Sequence, residues 1–195
     1  MTVRLLALAG STRAESYNQR LVDVATTLAR AEGADVTAIR LRDFNLPLFD
    51  EDVEKAGFPA DAEKLRRLFW EHDGFLIATP EYNGGVTGVL KNAIDWATRP
   101  VPGDPSSFLR GFRGKVAGVM STSLTGFGGV RSSLHLRQIL GTIQTLVVTE
   151  NVTVPFAPKA FEGAELVDEA AKGFLVAQVK RVIKVAGALS PRFNP

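Results

Sequence analysis

Three times in this chain a continuous apolar run breaks into a loop of small and hydroxyl-bearing residues and then into a helix. The first run, Val3 and Leu5 to Leu8, reaches Gly10 and then Ser11, Thr12, Arg13, Ser16 and Asn18. The second, GFLIAT over 74–79, opens into Pro80, Glu81, Tyr82, Asn83, Gly84 and Gly85. The third, KVAGVM over 115–120, opens into STSLTGFGG over 121–129. Apolar runs without alternation are expected of parallel strands covered on both faces. Loops that follow parallel strands emerge on one edge of the sheet, so these loops are expected to meet there.

The remaining chain fits between them. Leu21, Val24, Ala25, Leu28 and Ala29 form one helical stripe, and Gly33 ends that helix before a second strand over 34–41. Ala62, Leu65, Leu68 and Phe69 mark a helix over 60–72, and Val89, Leu90, Ala93, Ile94 and Ala97 another. A helix over 130–140 spreads Leu134, Leu136, Ile139 and Leu140 around its circumference, as helices that pack on a partner do. A fifth strand is expected from Thr145 to Val154. The closing helix is expected from Glu165 to Leu189, with Ala171, Phe174, Leu175, Val179, Val182, Ile183 and Ala186 inward. Residues 42–59 read as a long loop with a solvated acidic run, Asp50 to Asp52, over Leu48 and Phe49, and residues 99–114 as a second excursion. The order βαβαβαβαβα predicts an α/β doubly wound sheet of five parallel strands, one domain over 1–195.

The loop over 11–18 carries the clearest chemistry. A helix N-terminus offers unpaired N–H groups and about half a positive charge, which suits an anion. Ser11, Thr12 and Ser16 add hydroxyls, Asn18 an amide and Arg13 a fixed cation. Taken singly, Ser16 or Asn18 reads as a helix cap and Ser11 and Thr12 as turn residues, but their density favours phosphate. No G-x-x-x-x-G-K-[ST] occurs and the loop lacks G-x-G-x-x-G, which leaves a terminal monophosphate. Pro80 and the Gly84-Gly85 pair would let backbone amides approach a flat ring anchored by it.

Composition removes other classes. With 23 Lys and Arg against 21 Asp and Glu, the net charge of +2 is too balanced for electrostatically driven binding to nucleic acid or a membrane. Cysteine is absent, which excludes disulfides and thiolate catalysis and fits a reducing compartment. The two histidines, His72 at a helix end and His135 within a helix, resemble neither a catalytic triad nor a metal site. No apolar run approaches the roughly 20 residues of a membrane span, and the opening apolar run reads as a strand rather than an export signal, so a soluble cytoplasmic protein is expected.

Together, GSTRAESYN over 10–18, TPEYNGGVTGVLKNAIDW over 79–96 and GFGGVRSSLHLRQIL over 126–140 resemble the NADPH-dependent FMN reductase family, flavodoxin-like proteins that include quinone, azo-dye and chromate reductases. The resemblance implies a sheet in the order 2-1-3-4-5, bound FMN, NADPH or NADH as co-substrate, and a small-molecule acceptor. It further implies a homodimer or homotetramer. By position, Ser11, Arg13, Ser16 and Asn18 would hold the FMN phosphate, with Thr12 acting through its backbone. Pro80, Glu81, Tyr82, Asn83 and Gly84 would line the isoalloxazine ring. Ser121, Ser123 and the loop through Gly126 to Gly128 would approach the ring from the next strand. Thr87 stands where the family usually has proline. The flavin would carry the chemistry, so no catalytic side chain and no metal is expected. A flavodoxin-like electron carrier or redox sensor, and a phosphate-binding scaffold without flavin, are the competing readings.

Overall fold

The structure is a computed structural model that describes residues 2–191, so the ends of the expected 1–195 domain lie outside the described residues. In chain order it holds β1 (Arg4–Ala9), α1 (Tyr17–Ala31), β2 (Asp35–Arg40), α2 (Glu51–Ala56), α3 (Ala60–Glu71), β3 (Gly74–Ala78) and α4 (Gly88–Ala97). Then follow β4 (Val116–Thr122), α5 (Val130–Thr142), β5 (Leu146–Val147), β6 (Val152–Val154), α6 (Ala157–Ala160), β7 (Phe161–Glu162), β8 (Glu165–Leu166) and α7 (Glu169–Leu189). The main sheet runs β2-β1-β3-β4-β5, with β6 also on β4, and all its pairings are parallel. This is the expected order.

Every residue of β3 and β4 is buried, which explains the missing alternation. One face carries α1 and α7, whose Leu21, Ala25, Leu175 and Val179 pack on Leu5, Ala7 and Leu76. The other carries α3, α4 and α5, whose Leu65, Phe69, Leu90 and Leu136 pack on Leu6, Leu8, Phe75 and Ile77. Odd and even residues of β1 therefore feed different cores.

The fifth strand is not continuous. β5 pairs with Val116 and Ala117, and β6 with Met120 to Thr122. Between them Gln178 of α7 reaches in, its Nε2 donating to Val119 O at 2.8 Å and to Glu150 O at 2.7 Å. It takes the carbonyl that an unbroken ladder would have used. Gly118 makes the approach possible, since a Cβ there would lie 2.9 Å from Val182 Cγ2 and 3.1 Å from Gln178 Oε1.

Further expectations are corrected. The stretch over 42–59 contains α2, because Asp50 caps it by accepting from Asp52 N–H at 2.7 Å and the acidic run sits on the positive end of the helix dipole. Phe49 packs edge-on against Trp96, whereas Leu48 is 83% exposed. α7 starts at Glu169 rather than Glu165, since Gly163 (φ 57°) turns a small β7–β8 hairpin and Asp168 then caps the helix through Ala171 N–H. Phe174 is exposed, because it lies about 90° off the buried stripe of α7. His72 does sit at the end of α3, with its Nδ1 2.6 Å from Leu68 O. Burial pushes its pKa down, against the hydrogen bond to that carbonyl.

Candidate functional site

The three loops converge at the carboxyl edge of β1, β3 and β4. A cleft of about 200 Å³ lies between them, lined by Ser11, Arg13, Ser16 and Asn18 of the first loop, Pro80 to Tyr82 of the second, and Thr122 to Leu124 of the third. It shares Glu81, Ser123 and Leu124 with a neighbouring space of about 420 Å³ that reaches Asn83, Gly84, Phe127 and Arg131.

Loop 11–18 has donors to spare. Ser16 caps α1, its Oγ accepting from Gln19 N–H at 3.3 Å and its carbonyl from Arg20 N–H at 3.0 Å. Ser11 Oγ accepts from Arg13 N–H at 3.3 Å. Among the described residues, no acceptor takes the N–H groups of Ser11, Thr12, Tyr17 or Asn18, and no ion pair takes the exposed guanidinium of Arg13. Those groups, with the dipole of a 15-residue helix behind them, fit a phosphate.

Asn18 does something the sequence does not show. Its Nδ2 donates to Thr122 O at 2.9 Å and its Oδ1 accepts from Thr122 N–H at 3.1 Å. The amide lines the cleft but is committed to joining the first loop to the third.

In the second loop, Tyr82 and Gly85 exchange two backbone hydrogen bonds of 3.0 Å, with φ of 53° at Asn83 and 80° at Gly84. Positive φ at both central residues is a type I′ turn, the geometry Asn-Gly favours. Glu81 turns inward to cap α5, whose own N-cap, Gly129, has no side chain to offer. Its carboxylate accepts from Arg131 N–H at 3.1 Å, Ser132 N–H at 3.4 Å and Arg131 Nε at 2.6 Å. Burial works against that charge, but the Arg131 guanidinium and the two backbone donors outweigh it and hold the Glu81 carboxyl below its ordinary pKa. Arg131 in turn lies 5.3 Å from the centre of the Phe127 ring.

The third loop is braced from behind. Ser121, expected at the ring, is fully buried, and its Oγ donates to Gly128 O at 2.7 Å. It holds the loop rather than facing the cleft. Gly126 likewise sits off the cleft, where a Cβ would lie 3.1 Å from Phe156 Cζ. Thr12 lines neither space, whereas Ser123 lines both.

Residues given no role in the sequence also meet here: Thr122 and Leu124 in the inner cleft and Arg131 in the neighbouring space, where Phe127 of the third loop joins it. His135 lines neither space; its Nδ1 accepts from Val86 N–H at 3.4 Å. Arg131 alone carried a signal, as a charged residue just after a glycine pair at a helix start. Thr87, in the place of the usual proline, caps α4 and is 1% exposed.

A doubly wound sheet with a hydroxyl-rich cradle after its first strand defines a flavodoxin-like mononucleotide-binding protein. The chain belongs to the NADPH-dependent FMN reductase family, whose model matches residues 3–159. It is 36% identical over 184 residues to an NAD(P)H-dependent FMN reductase of Pseudomonas aeruginosa, covering 91% of this chain and 92% of that one. It is 37% identical over 150 residues to a quinone reductase of Escherichia coli, covering 76% and 74%. Among solved structures, a flavoenzyme NAD(P)H:(acceptor) oxidoreductase of Paracoccus denitrificans superposes with a TM-score of 0.81 at 26% identity, covering 96% of this chain and 99% of that one.

Proposed function

We propose that the chain is an oxidoreductase that uses bound FMN to pass electrons from NADPH or NADH to quinones or similar small acceptors. The observation that carries this reading is the set of unclaimed donors over 11–18, opening on a cleft with a turn-built wall at 80–85. Family membership and the quinone and FMN reductases among the relatives support the chemistry.

Bound FMN would supply the hydride chemistry. The backbone N–H groups of Ser11, Tyr17 and Asn18 and the Arg13 guanidinium would hold its phosphate. Pro80 to Gly84 would present the flat wall for the ring, with Ser123 facing it from the third loop. Glu81 and Arg131 cancel one another, so that wall carries little net charge of its own. Leu124 and Phe127, 62% and 63% exposed, flank an opening through which nicotinamide and acceptor would enter in turn. No acid, base or nucleophile is required of the chain.

The same exposed side chains, with Tyr82 and Leu134, support a second copy of the chain closing over this edge as a homodimer or homotetramer. Among the described residues no helix is long and apolar enough to cross a membrane. The reading is of a single FMN-binding domain working in the cytoplasm, and a chain without cysteine fits a reducing compartment. Replacing Arg13 by alanine tests the phosphate assignment, since FMN affinity is expected to fall and an unchanged affinity rejects it.

A further inference from the structure

The last residue before the cradle, Gly10, has its peptide groups fixed on three sides. Its N–H donates to Ala78 O at 2.8 Å, extending the contact of β1 with β3. A Cβ on Gly10 would lie 2.8 Å from Leu90 Cβ, so the chain presses directly onto α4. Its carbonyl accepts from Thr87 Oγ1 at 2.7 Å. Thr87 is buried, and the same oxygen accepts from Leu90 N–H at 3.3 Å as the cap of α4. With a lone pair given to Leu90, the Thr87 hydroxyl proton is directed to Gly10.

A trans peptide is planar, so the Gly10 C=O and the Ser11 N–H point in opposite directions. The carbonyl points at α4, on one face of the sheet, and α1 lies on the other face. Holding the carbonyl on Thr87 therefore turns the Ser11 N–H toward the side on which the α1 N-terminus lies. Ser11 is 7% exposed, and among the described residues nothing accepts from that N–H. A buried donor without a partner is costly unless a ligand completes it.

We infer that Thr87 is a positioning residue for the phosphate cradle: its hydroxyl sets the plane of the 10–11 peptide and so presents the Ser11 N–H to the phosphate. The inference rests on the reading of residues 11–18 as an FMN phosphate loop. Thr87 itself stands behind the cradle, on the far side of Gly10.

The test compares FMN with riboflavin, which lacks the phosphate, by flavin-fluorescence titration of flavin-stripped protein. Thr87→Val keeps the shape and removes the hydroxyl, whereas Thr87→Ser keeps the hydroxyl. Thr87→Val is expected to lose about tenfold in FMN affinity, the weight of one charge-assisted hydrogen bond, with riboflavin affinity unchanged. Thr87→Ser is expected to keep the wild-type preference for FMN. If Thr87→Val does not fold, Thr87→Ala gives the same ratio. A Thr87→Val protein that keeps the full preference for FMN, or that loses both ligands equally, overturns the inference while leaving the phosphate loop standing. Wild-type protein that binds FMN and riboflavin alike overturns the phosphate reading itself.

Discussion

The carboxamide of Asn18 and the backbone of Thr122 complete each other, with the Nδ2 donating at 2.9 Å to the carbonyl and the Oδ1 accepting at 3.1 Å from the N–H. Only one orientation of the amide satisfies both bonds. The pair spans 104 residues of sequence and joins the start of α1 to the end of β4, so one side chain ties the first loop to the third.

Replacing Asn18 by alanine leaves two buried backbone groups of Thr122 unpaired. The expected loss is about 2–6 kcal/mol of stability, since each orphaned group costs about 1–3 kcal/mol. Chemical denaturation measures it. A loss below about 0.5 kcal/mol would mean that other groups or water take over the pairing.

Glu81 makes an acid-sensitive contribution to α5. Its folded pKa is depressed, so the stability it contributes is complete above its unfolded value, near 4.5, and is lost as pH falls through the folded value. Thermal melts from pH 7 to pH 3 are expected to show wild type losing more stability than Glu81→Gln over the acid limb. Parallel curves would show that the carboxylate is not charged against Arg131 and the α5 N-terminus.

Lys115 acts in the opposite pH range. Its Nζ donates to Phe69 O and Trp70 O at the end of α3, and burial pushes its pKa down from 10.5 to about 8, against the pull of Asp73. Between those values the unfolded chain binds more protons, so stability rises with pH across the window. The gain is on the order of 3 kcal/mol relative to Lys115→Met, the shift converted at about 1.4 kcal/mol per unit. Melts at pH 7.5, 9 and 10.5 measure it. Equal slopes for the two proteins would place the amine in contact with solvent.

The strands at the centre of the sheet were legible because both their faces are covered. Leu5 to Leu8, Phe75 to Ile77 and Val116 to Met120 are apolar regardless of parity, and glycine, serine and threonine mark where each run ends. The break between β5 and β6 was not legible, because its cause, Gln178, lies 28 residues beyond Glu150 and 59 beyond Val119. Asp50 to Asp52 read as a solvated loop because an acidic run and a helix N-terminus share a composition. At the site, the residue types pointed to phosphate, but not the direction of each side chain. Ser121 and Ser123 are two apart on one segment, yet Ser121 is buried against Gly128 while Ser123 faces the cleft. Glu81 belongs to a legible motif, but its partner Arg131 is 50 residues away, so its capping role appears only when β3 and β4 lie side by side.

The measurement that bears most directly on the whole account is an anaerobic visible absorption spectrum of FMN-reconstituted, desalted protein, taken before and after NADPH and again after a quinone. A flavin reductase gives a flavin spectrum that survives desalting, is bleached by NADPH and returns with the quinone. Protein that retains no flavin, or retains flavin that NADPH leaves oxidised, would contradict it, the second outcome pointing instead to an electron carrier or sensor.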